Sequence, residues 1–212
     1  MKADLRLKHK NLYNASAKEP QVVTVPKLPF LMIEGQGDPS GLEFQDAVGT
    51  LYGATYGLKQ AFKNAQPAQD FSVMPLEGLW WCEGIPGFDM GRKELWRWTL
   101  MILQPDFVTK ASVSDALAAL AERRGRTPAL NKVRLANFRE GRAVQLLHIG
   151  PYSAERSTIS RIEEYMQAKK LVAAGKHHEI YMSDPRRTAP EKLKTILRVP
   201  VTRATQVAAA QA

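Results

Sequence analysis

Hydrophobic and polar positions alternate along the first half of the chain in a pattern that predicts strands on either side of a long helix. Two β-rich runs, residues 22–25 and 30–34, are joined by a proline-bounded link and are predicted to form an antiparallel pair. After a break at residues 35–39, apolar side chains recur at helical spacing over about residues 43–63. Further strands are predicted at residues 71–74, 76–82 and 94–103, and a helix capped by Ser112 or Ser114 ends near residue 124.

The same order recurs in the second half. Residues 133–138 and 143–148 form a second predicted strand pair, Gly150-Pro151 breaks the chain, and a helix over about residues 154–170 precedes strands at 177–183 and 193–199. We therefore predict an α+β fold over residues 1–203, with two repeated modules at about 20–105 and 132–201 joined by residues 106–131. The tail at 204–212 lacks a core pattern and is predicted to be disordered.

Strand 177–183 suggests where a ligand would bind. Side chains alternate between the faces of a strand, which places His177, Glu179, Tyr181 and Ser183 on one face and His178, Ile180 and Met182 on the other. The second face is predicted to pack under a helix. The first face is too polar for a core, so we expect it to line a cavity.

Tryptophan supplies a second candidate feature. Trp96 and Trp98 share one face of their strand, and Trp80 and Trp81 lie in the preceding predicted strand. Four indoles together with a carboxylate and a tyrosine are typical of an aromatic ligand pocket. The alternative is ordinary core packing, which must hold for some of them because Trp80 and Trp81 point to opposite faces of a regular strand.

Composition excludes several classes of protein. The single cysteine, Cys82, excludes a disulfide framework and a cysteine-rich metal centre. No apolar run approaches the roughly 20 residues of a membrane span, and the first ten residues lack the apolar core of a signal peptide. We expect a cytoplasmic protein without a membrane partner, metal ion or cofactor, and the oligomeric state stays open. His177 and His178 are adjacent on a strand and so are poorly placed to share a metal ion.

The net charge of +9 raises the question of a nucleic-acid partner. The first 110 residues carry 12 basic and 12 acidic side chains, so the whole excess lies in the second half. It is densest over residues 123–142, where Phe138 is the one aromatic residue. Nucleic-acid-binding surfaces combine such charge with base-reading or stacking groups, and we therefore expect no nucleic-acid partner.

Five motifs resemble the GyrI-like small-molecule-binding family, in its stand-alone branch without a DNA-binding domain, and the resemblance spans about residues 12–201. They are FLMIEGQGDP at 30–39, MPLEGLWW at 74–81, WRWTLM at 96–101, HIGPY at 148–152 and GKHHEIYMSDPRR at 175–187. The resemblance implies duplicated β-α-β-β modules of the SHS2 type in a pseudo-twofold arrangement, with antiparallel sheets and a central ligand groove. The β-α-β-β module differs from the pattern predicted above, which has an extra leading strand in each half.

The resemblance also implies two functions of different classes. Stand-alone members are linked to hydrolysis of cyclopropane-bearing, DNA-alkylating natural products, which is a protective or detoxifying activity. Other members are effector-binding domains that hold flat, hydrophobic or cationic drugs without turnover.

For this chain the resemblance points to Glu179 as the base and to Tyr181 as its catalytic partner. A carboxylate in an aromatic groove can orient and deprotonate a water molecule, and a neighbouring hydroxyl can stabilise the oxygen that gains charge. The predicted ligand contacts are Tyr152, His177 and the four tryptophans Trp80, Trp81, Trp96 and Trp98.

Overall fold

The computed structural model describes residues 3–84 and 91–204. Over these ranges the chain forms helices and strands in the order α1 (Leu5–Lys8), α2 (Lys10–Tyr13), β1 (Gln21–Gln36), α3 (Leu42–Ala65), β2 (Leu76–Cys82), β3 (Trp96–Leu103), α4 (Lys110–Arg124), β4 (Arg134–Ile149), α5 (Glu155–Ala168), β5 (Leu171–Ala173), β6 (His177–Tyr181) and β7 (Lys194–Arg203). The predicted mixture of helices with antiparallel strands is confirmed.

The chain divides into two compact units. The first contains residues 1–10 and 28–138, and the second contains residues 11–27 and 139–212. Strands β1 and β4 each contribute residues to both units. The predicted single domain with modules at about 20–105 and 132–201 stays a prediction.

In the first unit, β3 is the central strand. It pairs antiparallel with β1, from Phe30 opposite Leu103 to Gln36 opposite Arg97, and with β2 on its other side. Helix α3 contacts β3 and α4, and it buries apolar residues at a spacing of three or four, namely Ala47, Leu51, Ala54 and Leu58. This periodicity is what the sequence predicts for a helix with one face in the core.

In the second unit, β7 is the central strand. It pairs antiparallel with β4, with β6 and, near its end, with the short strand β5. Helix α5 contributes Ile162 and Met166 to a buried cluster whose strand members are Val144, Leu146, Leu171, Leu197 and Val201. Each unit therefore contains a strand, a helix and later strands, two in the first unit and three in the second, and the last strand lies between the others.

Both predicted strand pairs are wrong, because each is a single strand of 16 residues, β1 and β4. Proline was expected to end the first strand, but Pro26 and Pro29 both lie within β1. The fixed φ of proline suits extended backbone, so each proline costs the strand only one backbone N–H donor. Gly141 lies between the two runs predicted as the second pair, and its positive φ of 80° is accommodated inside β4.

Smaller differences concern helix caps and one strand. Thr109, rather than Ser112 or Ser114, caps α4, and Ser112 closes the capping box from the third helical position. Residues 71–74 form no strand, and Phe71 makes an isolated bridge to Ala3. The predicted disordered tail, apart from Ala204, lies outside the described residues. No helix in the described ranges combines the length and apolar character needed to cross a bilayer.

Candidate active site

Glu179 faces helix α5. In the β6–β7 pair, Glu179 lies opposite Leu197 and Tyr181 lies opposite Thr195, and directly opposed residues project from the same face of a sheet. Leu197 packs against the core side chains of α5, so Glu179 shares the helix-covered face. The sequence assigned that face to His178 and Ile180, and this assignment is wrong.

The two oxygens of the Glu179 carboxyl group have different neighbours. The Tyr181 hydroxyl donates a hydrogen bond of 2.8 Å to Oε2. Nε2 of His177 lies 3.3 Å from Oε1 but does not meet the geometry of a hydrogen bond within the described structure. The Tyr152 ring meets the Tyr181 ring edge-on, with centroids 5.8 Å apart. Glu179 is only 8% exposed, whereas Tyr152 is 37% exposed, so these contacts lead from a buried carboxylate to an aromatic ring at the surface. The structure thus brings four of the predicted site residues together.

A second carboxyl group, that of Glu155, lies beside Glu179 and was missed by sequence reasoning. It is the first residue of α5 and is 2% exposed. Burial, and then the negative charge of Glu179, raise the pKa of Glu155 to about 9. The Thr195 hydroxyl acts in the opposite direction on that pKa, but it does not meet the geometry of a hydrogen bond within the described structure.

The sequence did contain a signal for Glu155. The buried residues of α5 are Glu155, Thr158, Ile162 and Met166, at spacings of three and four. Counting back from Ile162 and Met166, two apolar residues within the predicted helix, therefore reaches Glu155. A glutamate in the first turn of a helix is usually explained by the helix dipole, which is why its burial was not predicted.

The opposite face of the same sheet contains an ionic network. Arg198, 2% exposed, donates to Glu140 at 3.1 Å and to the Leu12 carbonyl at 2.6 Å, and Nδ1 of His178 lies 3.0 Å from Glu140. Burial alone would raise the pKa of Glu140, but the charges and hydrogen bonds of His178 and Arg198 outweigh it, and that pKa is lowered. This network explains why the face predicted to be apolar carries a histidine.

Three of the four tryptophans pack as an aromatic cluster in the first unit. Phe44 of α3 stacks on Trp80 at 5.7 Å and meets Trp98 edge-on at 5.3 Å, and Trp80 meets Trp96 at 5.6 Å. Trp98 is completely buried. Its ring lies over Gly35, where an added Cβ would come within 2.2 Å of the indole, so the first residue of the Gly35-Gln36-Gly37 motif provides room for a ring.

Trp81 lies on the other face of β2, opposite Arg97. It lines a pocket of about 420 Å³ together with Glu34, Gln36 and Lys132. A second pocket of about 420 Å³ reaches Trp98 beside Ile33, Ala47 and Pro128. The predicted roles of the four tryptophans as ligand contacts stay predictions. In the described part of the chain, no group of three or more His, Cys, Asp or Glu side chains is placed to hold a metal ion.

Comparison with known proteins places these features in a family. Residues 18–202 match the family described as GyrI-like small molecule binding domain. An uncharacterized conserved protein from Listeria innocua is 39% identical, with a TM-score of 0.87. Two structures from the same organism, each named a hydrolase, are 36% and 37% identical, with TM-scores of 0.82 and 0.85. All three matches cover 95% of this chain and 100% of the other. No curated protein matches the chain.

Proposed function

We propose that this chain, which belongs to the GyrI-like small molecule binding domain family, hydrolyses electrophilic small molecules that contain a cyclopropane ring. The observation that carries the proposal is a buried carboxylate, Glu179, that accepts a hydrogen bond from Tyr181 and has His177 3.3 Å away. Two similar structures named hydrolases support an enzymatic role. We also propose that the fold consists of two duplicated SHS2-type modules around a ligand groove.

In the proposed reaction, Glu179 acts as the general base. It takes a proton from water as the water oxygen bonds to the methylene carbon of the strained ring. The breaking carbon–carbon bond leaves its electron pair on the conjugated ketone, whose oxygen then gains a proton. Tyr181 fixes the orientation of Glu179 through its hydrogen bond of 2.8 Å, so the base is positioned before the ligand arrives.

The aromatic residues are proposed to bind a flat, hydrophobic ligand. Tyr152 and Tyr181 present ring faces and edges next to the carboxylate, and such rings stack well on polycyclic compounds. The tryptophans are proposed as further contacts. Removal of reactive alkylating compounds would protect the DNA of the cell, in keeping with a cytoplasmic enzyme that needs no cofactor.

The second candidate function is binding of hydrophobic or cationic drug-like molecules without turnover. A buried carboxylate beside tyrosine rings favours an organic cation through charge and through the ring faces. In this case Glu179 anchors the ligand and performs no chemistry.

To test hydrolysis, the protein is incubated with a spirocyclopropyl-dienone compound under turnover conditions. Mass spectrometry then follows the gain of one water by the compound. We expect Glu179→Gln to lower the rate by about 10²–10⁴ because it keeps the shape but removes the base. Glu164→Gln, an exposed glutamate of α5, is the matched control and should keep the wild-type rate.

The other outcomes separate the candidates. Turnover that is unchanged in Glu179→Gln would contradict the role of Glu179 and direct attention to Tyr152 or to Glu77, a buried carboxylate of β2. A wild-type protein without turnover would overturn hydrolysis. Titration with an aromatic quaternary ammonium ion would then test the binding function, and Glu179→Gln should weaken that ion but not a neutral ligand.

A further inference from the structure

The proposed reaction needs a proton donor as well as a base. Hydrolysis adds a hydroxyl group to carbon and a proton to the ketone oxygen, and a nearby acid speeds such a step when its proton is available. Tyr181 is the obvious donor, but in the structure its hydroxyl already donates to Glu179. Using that proton for the ligand would release the base from its orientation.

Glu155 is a carboxyl group with an uncommitted oxygen in the same site. The side chain is 2% exposed, and Oε1 has no hydrogen-bond partner in the described structure. A buried charged oxygen without a donor is strongly disfavoured, and the charge of Glu179 beside it disfavours a second negative charge. Both effects favour the neutral, proton-bearing form of Glu155.

We propose that Glu155 is the general acid of this site and delivers its proton to the ligand oxygen that gains charge as the ring opens. The inference rests on the proposed function, which already assigns Glu179 as the base. Two carboxyl groups whose environments hold them in different protonation states are a common arrangement for acid–base catalysis.

The protons and electrons of the step balance. Glu179 gains the proton of water as the new carbon–oxygen bond forms, and the electron pair of the broken carbon–carbon bond moves to the ketone oxygen. Glu155 loses its proton to that oxygen and gives a phenol. Transfer of the proton from Glu179 to Glu155 then restores the starting state, which the proximity of the two carboxyl groups allows.

Several titratable groups lie on the elements next to Glu155. Strand β6 contributes Glu179, Tyr181 and His177, and Tyr152 lies three residues before Glu155. Strand β4 contributes His148, whose Nδ1 lies 2.8 Å from the Thr158 hydroxyl one turn further along α5. The test must therefore separate loss of the Glu155 proton from ionisation of a tyrosine.

The experiment compares the pH dependence of turnover in the wild type and in Glu155→Gln. We expect the wild-type rate to fall as the pH rises through about 9, where Glu155 loses its proton. Glu155→Gln keeps the shape of the neutral acid but has no proton to give, so its rate at pH 7 should be about 10²-fold lower and should show no such fall. Tyr181→Phe should retain the fall, and Glu164→Gln should match the wild type throughout.

Each outcome has a separate meaning. Suppose that Glu179→Gln loses activity while Glu155→Gln keeps the wild-type rate and the same fall in rate at high pH. Glu155 is then only a packed neutral side chain, and this inference is overturned while the proposed function stands. If the fall in rate at high pH disappears in Tyr181→Phe instead, the proton donor is Tyr181, and the assignment of Glu155 is overturned. If the wild type turns over no cyclopropane compound, the proposed function fails and the assignment of Glu155 fails with it.

Discussion

The two units use one structural position for opposite purposes. In the first unit, the opening turn of α3 places Phe44 on Trp80, in the strand that follows the helix. In the second unit, the opening turn of α5 places Glu155 beside Glu179, again in a later strand that pairs with the central one. One contact is between apolar rings and the other is between two carboxyl groups.

This difference shows how a stable scaffold and a reactive site can share an architecture. Burial of aromatic rings stabilises the folded state in proportion to the apolar area removed from water. Burial of two carboxyl groups has a cost, because one must keep a proton that the unfolded chain would release at neutral pH. We therefore expect the first position to contribute stability and the second to reduce it.

The largest expected effect tests the aromatic side of the comparison. Trp98→Ala should lower the free energy of unfolding by about 3–5 kcal/mol, because a completely buried ring leaves a cavity. Urea unfolding followed by circular dichroism measures the loss. Trp81→Ala, on the opposite face of β2 and partly exposed, is the matched control and should lose about 1 kcal/mol. Equal losses in the two variants would show that the cluster is not a stabilising core.

The second prediction tests the carboxyl side. The folded-state pKa of Glu155 is about 9, above its ordinary value of 4.5, so the protein loses stability as the pH rises between these values. Glu155→Gln removes that loss. It should stabilise the protein by about 2 kcal/mol at pH 8, less than the full shift implies because a buried site relaxes around a new charge.

Thermal unfolding at a series of pH values measures this effect. The stability curve of Glu155→Gln should be flatter than that of the wild type from pH 5 to 8, and the two should converge near pH 4. Glu164→Gln should follow the wild type. A Glu155→Gln curve parallel to the wild type at every pH would mean that Glu155 is ionised in the folded protein.

The smallest expected effect concerns the link between the carboxylate and the rings. Tyr181→Phe removes the hydrogen bond to Glu179 but keeps the ring that contacts Tyr152, so it should cost about 1 kcal/mol of stability. Tyr165→Phe, on α5 beside the core cluster, is the control. If Tyr181→Phe were as stable as the wild type, the hydrogen bond to Glu179 would contribute little to the stability of the folded protein.

The sequence by itself determined the helices and most strands, because apolar periodicity reports which side of an element is buried. The long run over α3 and the alternation in β6 both predicted their elements, and the motif around Glu179 identified the family. The same local signals predicted a break near Gly141 and a strand end at Pro26, where the backbone instead continues as one strand, because the length of a strand depends on contacts with distant parts of the chain that a local pattern does not include.

Only the tertiary structure decided which face of β6 lies under α5. Alternation separates the two faces of a strand but does not say which one a helix covers, and here both carry charged groups. The buried network of Arg198, Glu140 and His178 satisfies one face, so its polarity is compatible with burial. Glu155 and Glu179 are 24 residues apart in sequence, and their coupling arises only because α5 packs on the β6–β7 pair. A pKa set by burial and by a neighbouring charge depends on distances in space, which no sequence pattern contains.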